Sequence, residues 1–187
     1  MTMSTGPGAP PAADAVKAQI RNAFAGTPYP GDDALVRSQG DEPDEVVELF
    51  RGRTDWRVLP ADFVDRAGAA SPSALSFFSA GAFRFYLPAY LIADLDGALE
   101  YTDPLFYLFH GLDDATRGEP VHVPGAGTTM WWEVQQEHLA GFTAEEAGAI
   151  VAYLRWRMAG DEPDFSRRRA EQALDNYWLG RAEERSV

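Results

Sequence analysis

Two adjacent aspartates, Asp32 and Asp33, are the first side chains in the sequence whose type and spacing could support chemistry. They follow a Pro-Gly pair in the segment TPYPGDD, which predicts a rigid turn. Neighbouring carboxylates could bind a cation or divide the roles of acid and base, because like charges push their pKa values apart. The alternative, which we favour, is that the aspartates cap the segment after the turn.

Arg84 is a second candidate, because it lies in the most apolar stretch of the sequence. A guanidinium there requires an acidic partner, or a carbonyl such as one that Pro88 leaves without a donor. A structural pairing is the favoured interpretation, and the side chain could also extend to a surface. The alternative is a pocket in which Arg84 and Tyr86 act together with the two aspartates.

Trp131 and Trp132 form the third candidate group, beside a segment rich in Pro and Gly. Exposed tryptophans would mark a binding surface, because their large rings dominate the energetics of interfaces. Burial of both rings over the core is the favoured alternative.

The three histidines, His110, His122 and His138, are the remaining candidates for metal chemistry. A single-metal site could be drawn from His122, His138 and either Glu133 or Glu137. These residues lack the spacing of known ligand motifs, and scattered histidines are ordinarily packing or surface residues. We therefore predict no metal and no cofactor.

Motifs of well-known enzyme classes are missing from the sequence. There is no phosphate-binding Walker loop, no G-x-G-x-x-G, no G-x-S-x-G and no H-E-x-x-H. The sequence also has no cysteine, which removes thiolate nucleophiles and sulfur-based zinc sites. These absences favour a protein without catalytic activity.

Net charge limits the partners that the protein can bind. Its 187 residues include 29 acidic and 16 basic side chains, which give a formal charge of −13. Nucleic-acid binding normally requires a basic patch, so a nucleic-acid partner is disfavoured. The same charge would attract a basic protein partner, although acidic surfaces also serve simply to keep proteins soluble. The oligomeric state has no signature in the sequence.

The elements that must position these residues are organised around the apolar stretch from Phe77 to Leu95. It has the length of a membrane span, but Arg84, Pro88 and Asp94 argue against one. We therefore predict a buried central helix that begins after Ser79, with a kink or a break near Leu87 caused by the proline.

Helical patterns separated by turns account for most of the remaining chain. Start and stop signals predict about six helices in all, with one beginning near Asp41 and the last at Ser166. Thr143 and Glu146 form a capping box that predicts a further helix. Trp56 and Val58 are predicted core residues.

The overall prediction is a mainly α-helical protein with a single compact domain over residues 14–187. Residues 119–134 are rich in Pro and Gly and predict a loop or a short β-hairpin. Residues 1–13 predict a flexible tail without the features of a secretory signal, so we expect a cytoplasmic protein.

Several segments occur in the order found in a known bacterial family. They are PYPGDDALV (28–36), ELFRGRTDW (48–56), LSFFSAGAFRFYLPAYL (75–91), GFTAEE (141–146) and ALDNYW (173–178). The sequence resembles domain-of-unknown-function family 6714 over nearly its whole length after the tail, and AFRFYLPAYL is the most specific element. The family has no assigned activity, so the resemblance implies an architecture and transfers no functional residue.

Two functions remain open at this point. The first is an interaction module of the immunity or adaptor type, whose acidic surface covers a basic protein partner. The second is a small-molecule-binding or hydrolase-like protein with Asp32, Asp33, Arg84 and Tyr86 in a pocket beside the kinked helix.

Overall fold

The computed structural model of the protein describes residues 12–67, 73–123, 125 and 127–184. Most of these residues are helical, and their apolar side chains form one hydrophobic core. The prediction of a mainly α-helical fold is confirmed. The predicted tail falls outside the described residues up to residue 11, and the first helix already begins at Ala13.

The central helix, α4, runs from Ala80 to Leu95. Ser79 caps it by accepting a hydrogen bond from the Ala82 amide at 3.1 Å, as predicted. Most of its side chains are buried, because helices lie against it on several sides. Of the kink or break that was predicted near Leu87, the break is wrong, since α4 continues through Pro88. A proline removes only one backbone hydrogen bond, and the packing around α4 holds the rest of the helix in place.

Shorter helices surround α4 and meet it through their apolar faces. α1, α3, α5 and α6 contact α4 directly, and α7 packs against α1 and α9. Their bounds are α1 Ala13–Ala23, α2 Asp41–Phe50, α3 Ala61–Arg66, α5 Pro104–Phe109, α6 Trp131–Leu139, α7 Ala144–Ala159, α8 Asp164–Ala173 and α9 Leu179–Glu183.

A small antiparallel hairpin precedes α6, as the Pro- and Gly-rich segment predicts. It consists of β1, Pro120–Val123, and β2, Gly127–Met130, with Val121 opposite Thr129. β2 leads directly into α6, so the hairpin fixes where that helix begins.

Two further predictions need correction. The last helical region begins at Asp164 and not at Ser166, because Pro163 precedes the first turn and Asp164 lies at its positive end. Val58 is 72% exposed, whereas Trp56 is buried as predicted. Both residues lie in one short 3₁₀ turn, which directs only the tryptophan into the core.

α8 continues into α9 through a π-helical turn, Leu174–Trp178. Two side chains of this turn bind carbonyls near the end of α5. Asn176 Nδ2 donates to the Leu112 carbonyl at 2.9 Å, and Trp178 Nε1 donates to the Leu108 carbonyl at 2.8 Å. These bonds attach the C-terminal helices to the chain at the end of α5. Across the described parts of the chain, no helix combines the length and the apolar character that crossing a membrane requires.

Candidate functional site

Arg84 has an acidic partner, as its apolar surroundings require. Its Nε donates to Glu146 Oε2 at 2.8 Å, and the glutamate side chain is 1% exposed. Glu146 also accepts from Thr27 Oγ1 at 2.5 Å and from the Thr143 amide at 2.8 Å. The amide bond belongs to the predicted capping box of α7, which the structure confirms. We call Thr27, Arg84, Thr143 and Glu146 the Glu146 cluster, and its bonds join α4 to α7.

Asp32 is bound within a turn. It accepts from Tyr29 OH at 2.5 Å and from the Gly52 amide at 2.8 Å. The bond from Tyr29 and then the bond from Gly52 hold the pKa of Asp32 below its usual value. Asp33, the adjacent residue, is exposed. The two carboxylates therefore have different surroundings.

Tyr86 is fully buried and donates to the Arg53 carbonyl at 2.8 Å. Burial raises the pKa of its hydroxyl far above the usual value. Its ring lies 6.5 Å from that of Tyr29, which links Tyr86 to the Asp32 turn.

The four residues of the predicted pocket do not converge. Arg84 and Tyr86 are separated by two positions on α4, which places them about 200° apart around the helix. Arg84 accordingly reaches α7, and Tyr86 reaches the chain after α2. The structure associates Asp32 with Tyr86, and it places Arg84 and Asp33 elsewhere.

The two tryptophans are both half-buried and lie in different surroundings. The ring of Trp131 is 4.7 Å from that of His110, which follows α5. The ring of Trp132 is 6.3 Å from that of Tyr177, in the π-helical turn. Trp131 also lines a cavity that the sequence did not predict.

This site is a cavity of about 190 Å³ between α4, α5 and α6, which we call the α5–α6 pocket. Aromatic rings form much of its wall, from Phe83, Phe106, Tyr107 and Trp131. Phe106 stacks on His110 with ring centroids 4.9 Å apart and 19° between the planes. Such a wall suits a flat, apolar ligand group.

Polar side chains also line the α5–α6 pocket, and several are fixed by hydrogen bonds. Ser76 Oγ lies 3.0 Å from Tyr107 OH, and Gln135 Nε2 donates to the Tyr107 carbonyl at 3.1 Å. Arg37 Nη2 donates to the Ser76 carbonyl at 3.2 Å. These bonds hold the polar groups in defined positions around the cavity.

Two histidines contribute uncharged imidazoles to the same pocket. Burial, assisted by the nearby charge of Arg37, lowers the pKa of His138 to about 4. Burial and then the charge of Arg169 lower the pKa of His110. Both rings are therefore neutral at pH 7. Nδ1 of His110 is buried and has no hydrogen-bond partner within the described parts of the chain.

The composition of the pocket wall defines what the site can do. It offers one fixed positive charge, two neutral imidazoles and several aromatic faces. Within the range that the structure describes, no carboxylate lines it, and no group of three or more acidic or histidine side chains could hold a metal ion. The arrangement is suited to holding a molecule.

A larger cleft of about 520 Å³ lies beside Trp156 and Arg157. Its arginine is already bound within the protein, by Asp94 at 2.7 Å and by Glu162 at 2.7 Å. The charge of the guanidinium is thereby neutralised, so the cleft attracts an anionic ligand less than the α5–α6 pocket does.

The sequence did contain a partial signal for the α5–α6 pocket. Trp131, Gln135 and His138 follow one another at helical spacing, and Phe106 and His110 lie four residues apart. This spacing places each set on one helix face. Arg37 has no comparable local signal, because only the fold brings its loop beside α5 and α6.

Comparison with known proteins gives one match. The model of a family of unknown function, DUF6714, matches residues 12–182. No curated protein and no solved structure matches the chain. The matched range covers nearly the whole sequence, including α4 and every residue of the α5–α6 pocket named above. The chain therefore belongs to the DUF6714 family.

Proposed function

We propose that the protein binds a small organic molecule in the α5–α6 pocket. The main support for this proposal is that Arg37, His110 and His138 line one cavity together with several aromatic rings. Ligand pockets typically combine a mainly apolar wall with a few fixed polar groups, and this pocket has both.

The state of the polar groups supports binding. Buried polar atoms are normally hydrogen-bonded, because an unpaired one costs about 1–3 kcal/mol. His110 Nδ1 lacks a partner among the described residues, although it is fully enclosed. This nitrogen is therefore hydrogen-bonding capacity next to the cavity that the described part of the protein does not use.

The size of the pocket limits the ligand. Pockets for drug-sized molecules have volumes of roughly 300–1,000 Å³, whereas this one has about 190 Å³. The ligand therefore contains little more than one substituted ring. For so small a molecule we expect a dissociation constant on the order of 10 µM to 1 mM.

The proposal can be tested by screening a library of small aromatic fragments with ligand-detected NMR. We expect fragments that bind the wild type and bind His138→Trp at least tenfold more weakly, because the larger indole occupies the cavity. His122→Trp, on the exposed face of β1, is the matched control and should bind as the wild type does. A thermal melt shows that both variants are folded. Absence of binding to the wild type, or equal binding to all three proteins, would contradict the proposal.

A second candidate function is the interaction with a basic protein partner. The observation that favours it is the surface of α2, where five carboxylates are exposed: Asp41, Glu42, Asp44, Glu45 and Glu48. No cationic side chain in the described ranges forms an ion pair with any of them. The acids near the start of α2 also stabilise that helix through its dipole.

The interaction can be tested with a variant in which Glu42, Glu45 and Glu48 are changed to Gln. A control variant neutralises three exposed acids elsewhere, Glu171, Asp175 and Glu183. Pull-downs from the native host should return a basic protein that is lost with the first variant and at high salt, because salt screens charges. Retention of the same protein under both conditions would contradict this candidate.

A further inference from the structure

We infer that the α5–α6 pocket selects an aromatic carboxylate, with the ring against the aromatic wall and the carboxylate on Arg37. The inference rests on the proposed function, since it names the ligand class of that pocket. Three features of the site support it: the unused donors of Arg37, the arrangement of the rings, and the sign of the charge around the cavity, which is that of Arg37.

The first feature is the free hydrogen-bonding capacity of Arg37. A guanidinium has five N–H donors, and Arg37 uses one of its own for the Ser76 carbonyl at 3.2 Å. Its backbone is anchored separately, by donation from its amide to the Phe77 carbonyl at 3.1 Å. Arg37 has no ion-pair partner in the part of the chain that the structure describes. The remaining donors are available for a carboxylate, which an arginine can bind with two parallel bonds.

Three shielded arginines of the protein are paired with carboxylates, whereas Arg37, which is exposed, is not paired within the described ranges. Arg84, Arg157 and Arg169, which are largely shielded from water, are each bound by a carboxylate of the protein at 2.7 to 2.9 Å. The chain has 29 acidic residues with which to do so. Arg37, which is exposed, lines the cavity and has no such partner among the described residues. Its guanidinium can therefore bind a ligand carboxylate without breaking an ion pair of the protein.

The second feature is the aromatic wall. His110 lies between Phe106, stacked on it at 4.9 Å, and Trp131, whose ring meets it edge-on at 4.7 Å. The ring of Phe83, on α4, has its centroid 4.9 Å from that of His138, on α6. Aromatic rings prefer to meet other rings in these stacked and edge-on arrangements. A flat ligand ring has such partners on more than one side of the cavity.

The third feature is the sign of the charge. Arg37 is the one charged side chain among the described residues that line the cavity, and both lining histidines are neutral at pH 7. Three charged groups act on His110: Arg169, Asp113 and Glu119. Asp113 is neutralised by Arg169 at 2.9 Å. The cavity therefore attracts a single negative charge.

Benzoate, benzamide and benzylammonium provide a matched set of probes, because they share a ring and differ in charge. We expect the wild type to bind benzoate at least tenfold more tightly than benzamide and to bind benzylammonium most weakly, as measured by NMR titration. Arg37→Gln should remove the preference for benzoate and leave the affinity for benzamide unchanged. Arg168→Gln, at an exposed position on α8, is the control and should keep the wild-type preference.

Every other result would contradict the inference, and each one identifies which part of it is wrong. Equal affinity for benzoate and benzamide, or tightest binding of benzylammonium, would exclude a carboxylate ligand while the pocket remained a binding site. A preference for benzoate that survives in Arg37→Gln would exclude Arg37 as the recognising group. If none of the three probes binds but other fragments of the screen do, the ligand class is wrong and the proposed function stands. If nothing binds at all, both fail.

Discussion

The Glu146 cluster and the α5–α6 pocket are both polar sites next to α4, and they differ in how their polar groups are used. Glu146 accepts three hydrogen bonds from three different residues and is closed to water. In the pocket, Arg37 uses one side-chain donor, and His110 Nδ1 has no partner among the described residues. The buried carboxylate of the first site is fully used within the protein, whereas the second site has buried hydrogen-bonding capacity left over.

This difference separates structural residues from candidate binding residues. Removing a group from a complete site breaks existing bonds and leaves a buried partner unpaired, so it lowers stability. Removing a group from an incomplete site breaks few bonds, so it affects what the site can bind. Substitutions at Glu146, His138, Tyr86 and Arg37 test this division.

Glu146→Ala should cause the greatest loss of stability. It removes the ion pair to Arg84, the bond from Thr27 and the capping box of α7 together. Breaking a buried pair costs about 3–5 kcal/mol, and the 23% exposure of the Arg84 side chain places the expected value near the lower limit. Urea denaturation measures the free energy of unfolding. Glu146→Gln, which keeps the length of the side chain, should cost less, and equal stability of Glu146→Ala and wild type would show that the cluster is not structural.

His138 should make stability depend on pH. Its pKa is lowered from an ordinary value of 6.5 to about 4 in the folded protein. The unfolded chain therefore takes up a proton first as the pH falls, so this contribution is present above pH 6.5 and is lost between pH 6.5 and pH 4. The loss should reach up to about 3 kcal/mol. His138→Gln should remove this part of the pH dependence in urea titrations, and an identical profile for both proteins would refute the buried neutral histidine.

Tyr86→Phe should have an intermediate effect. It deletes the buried hydroxyl that donates to the Arg53 carbonyl at 2.8 Å and leaves the ring in the core. We expect a loss of about 1 kcal/mol in the free energy of unfolding, typical of one buried hydrogen bond. Tyr101→Phe, at an exposed position, is the control and should change stability by less than about 0.5 kcal/mol. The comparison fails if the two variants lose the same stability.

Arg37→Gln should have the smallest effect on stability. Arg37 is exposed, and its guanidinium makes one hydrogen bond, to the Ser76 carbonyl. The expected change is within about 0.5 kcal/mol, as for ordinary surface substitutions. A loss as large as that of Glu146→Ala, in the same urea experiment, would show that Arg37 belongs to the framework and not to a binding site.

Local signals in the sequence predicted much of the fold. The Ser79 cap, the Thr143 and Glu146 capping box and the hairpin after residue 119 each depend on neighbouring residues, and each is confirmed. Where local rules failed, packing was the reason. α4 continues through Pro88 because its surroundings hold it, and Val58 is exposed because its 3₁₀ turn directs only Trp56 inward.

The sites were harder to predict because they depend on contacts between distant parts of the chain. The sequence indicated that Arg84 needs an acid, but its partner lies 62 residues away. The histidines of the pocket, separated by 28 positions, looked scattered until α5 and α6 were placed side by side. Arg37 reaches them from a loop with no pattern of its own. Spacing along the sequence therefore showed which residues share one face of a helix. Only the fold showed which of these faces lie next to each other and form a site.

One experiment tests the division between complete and incomplete sites directly: the unfolding free energy and the benzoate affinity of Arg37→Gln, measured on the same preparation. We expect an unfolding free energy within about 0.5 kcal/mol of the wild type and an affinity at least tenfold weaker. A variant that loses stability but binds benzoate as the wild type does would show that Arg37 belongs to the framework and not to a binding site.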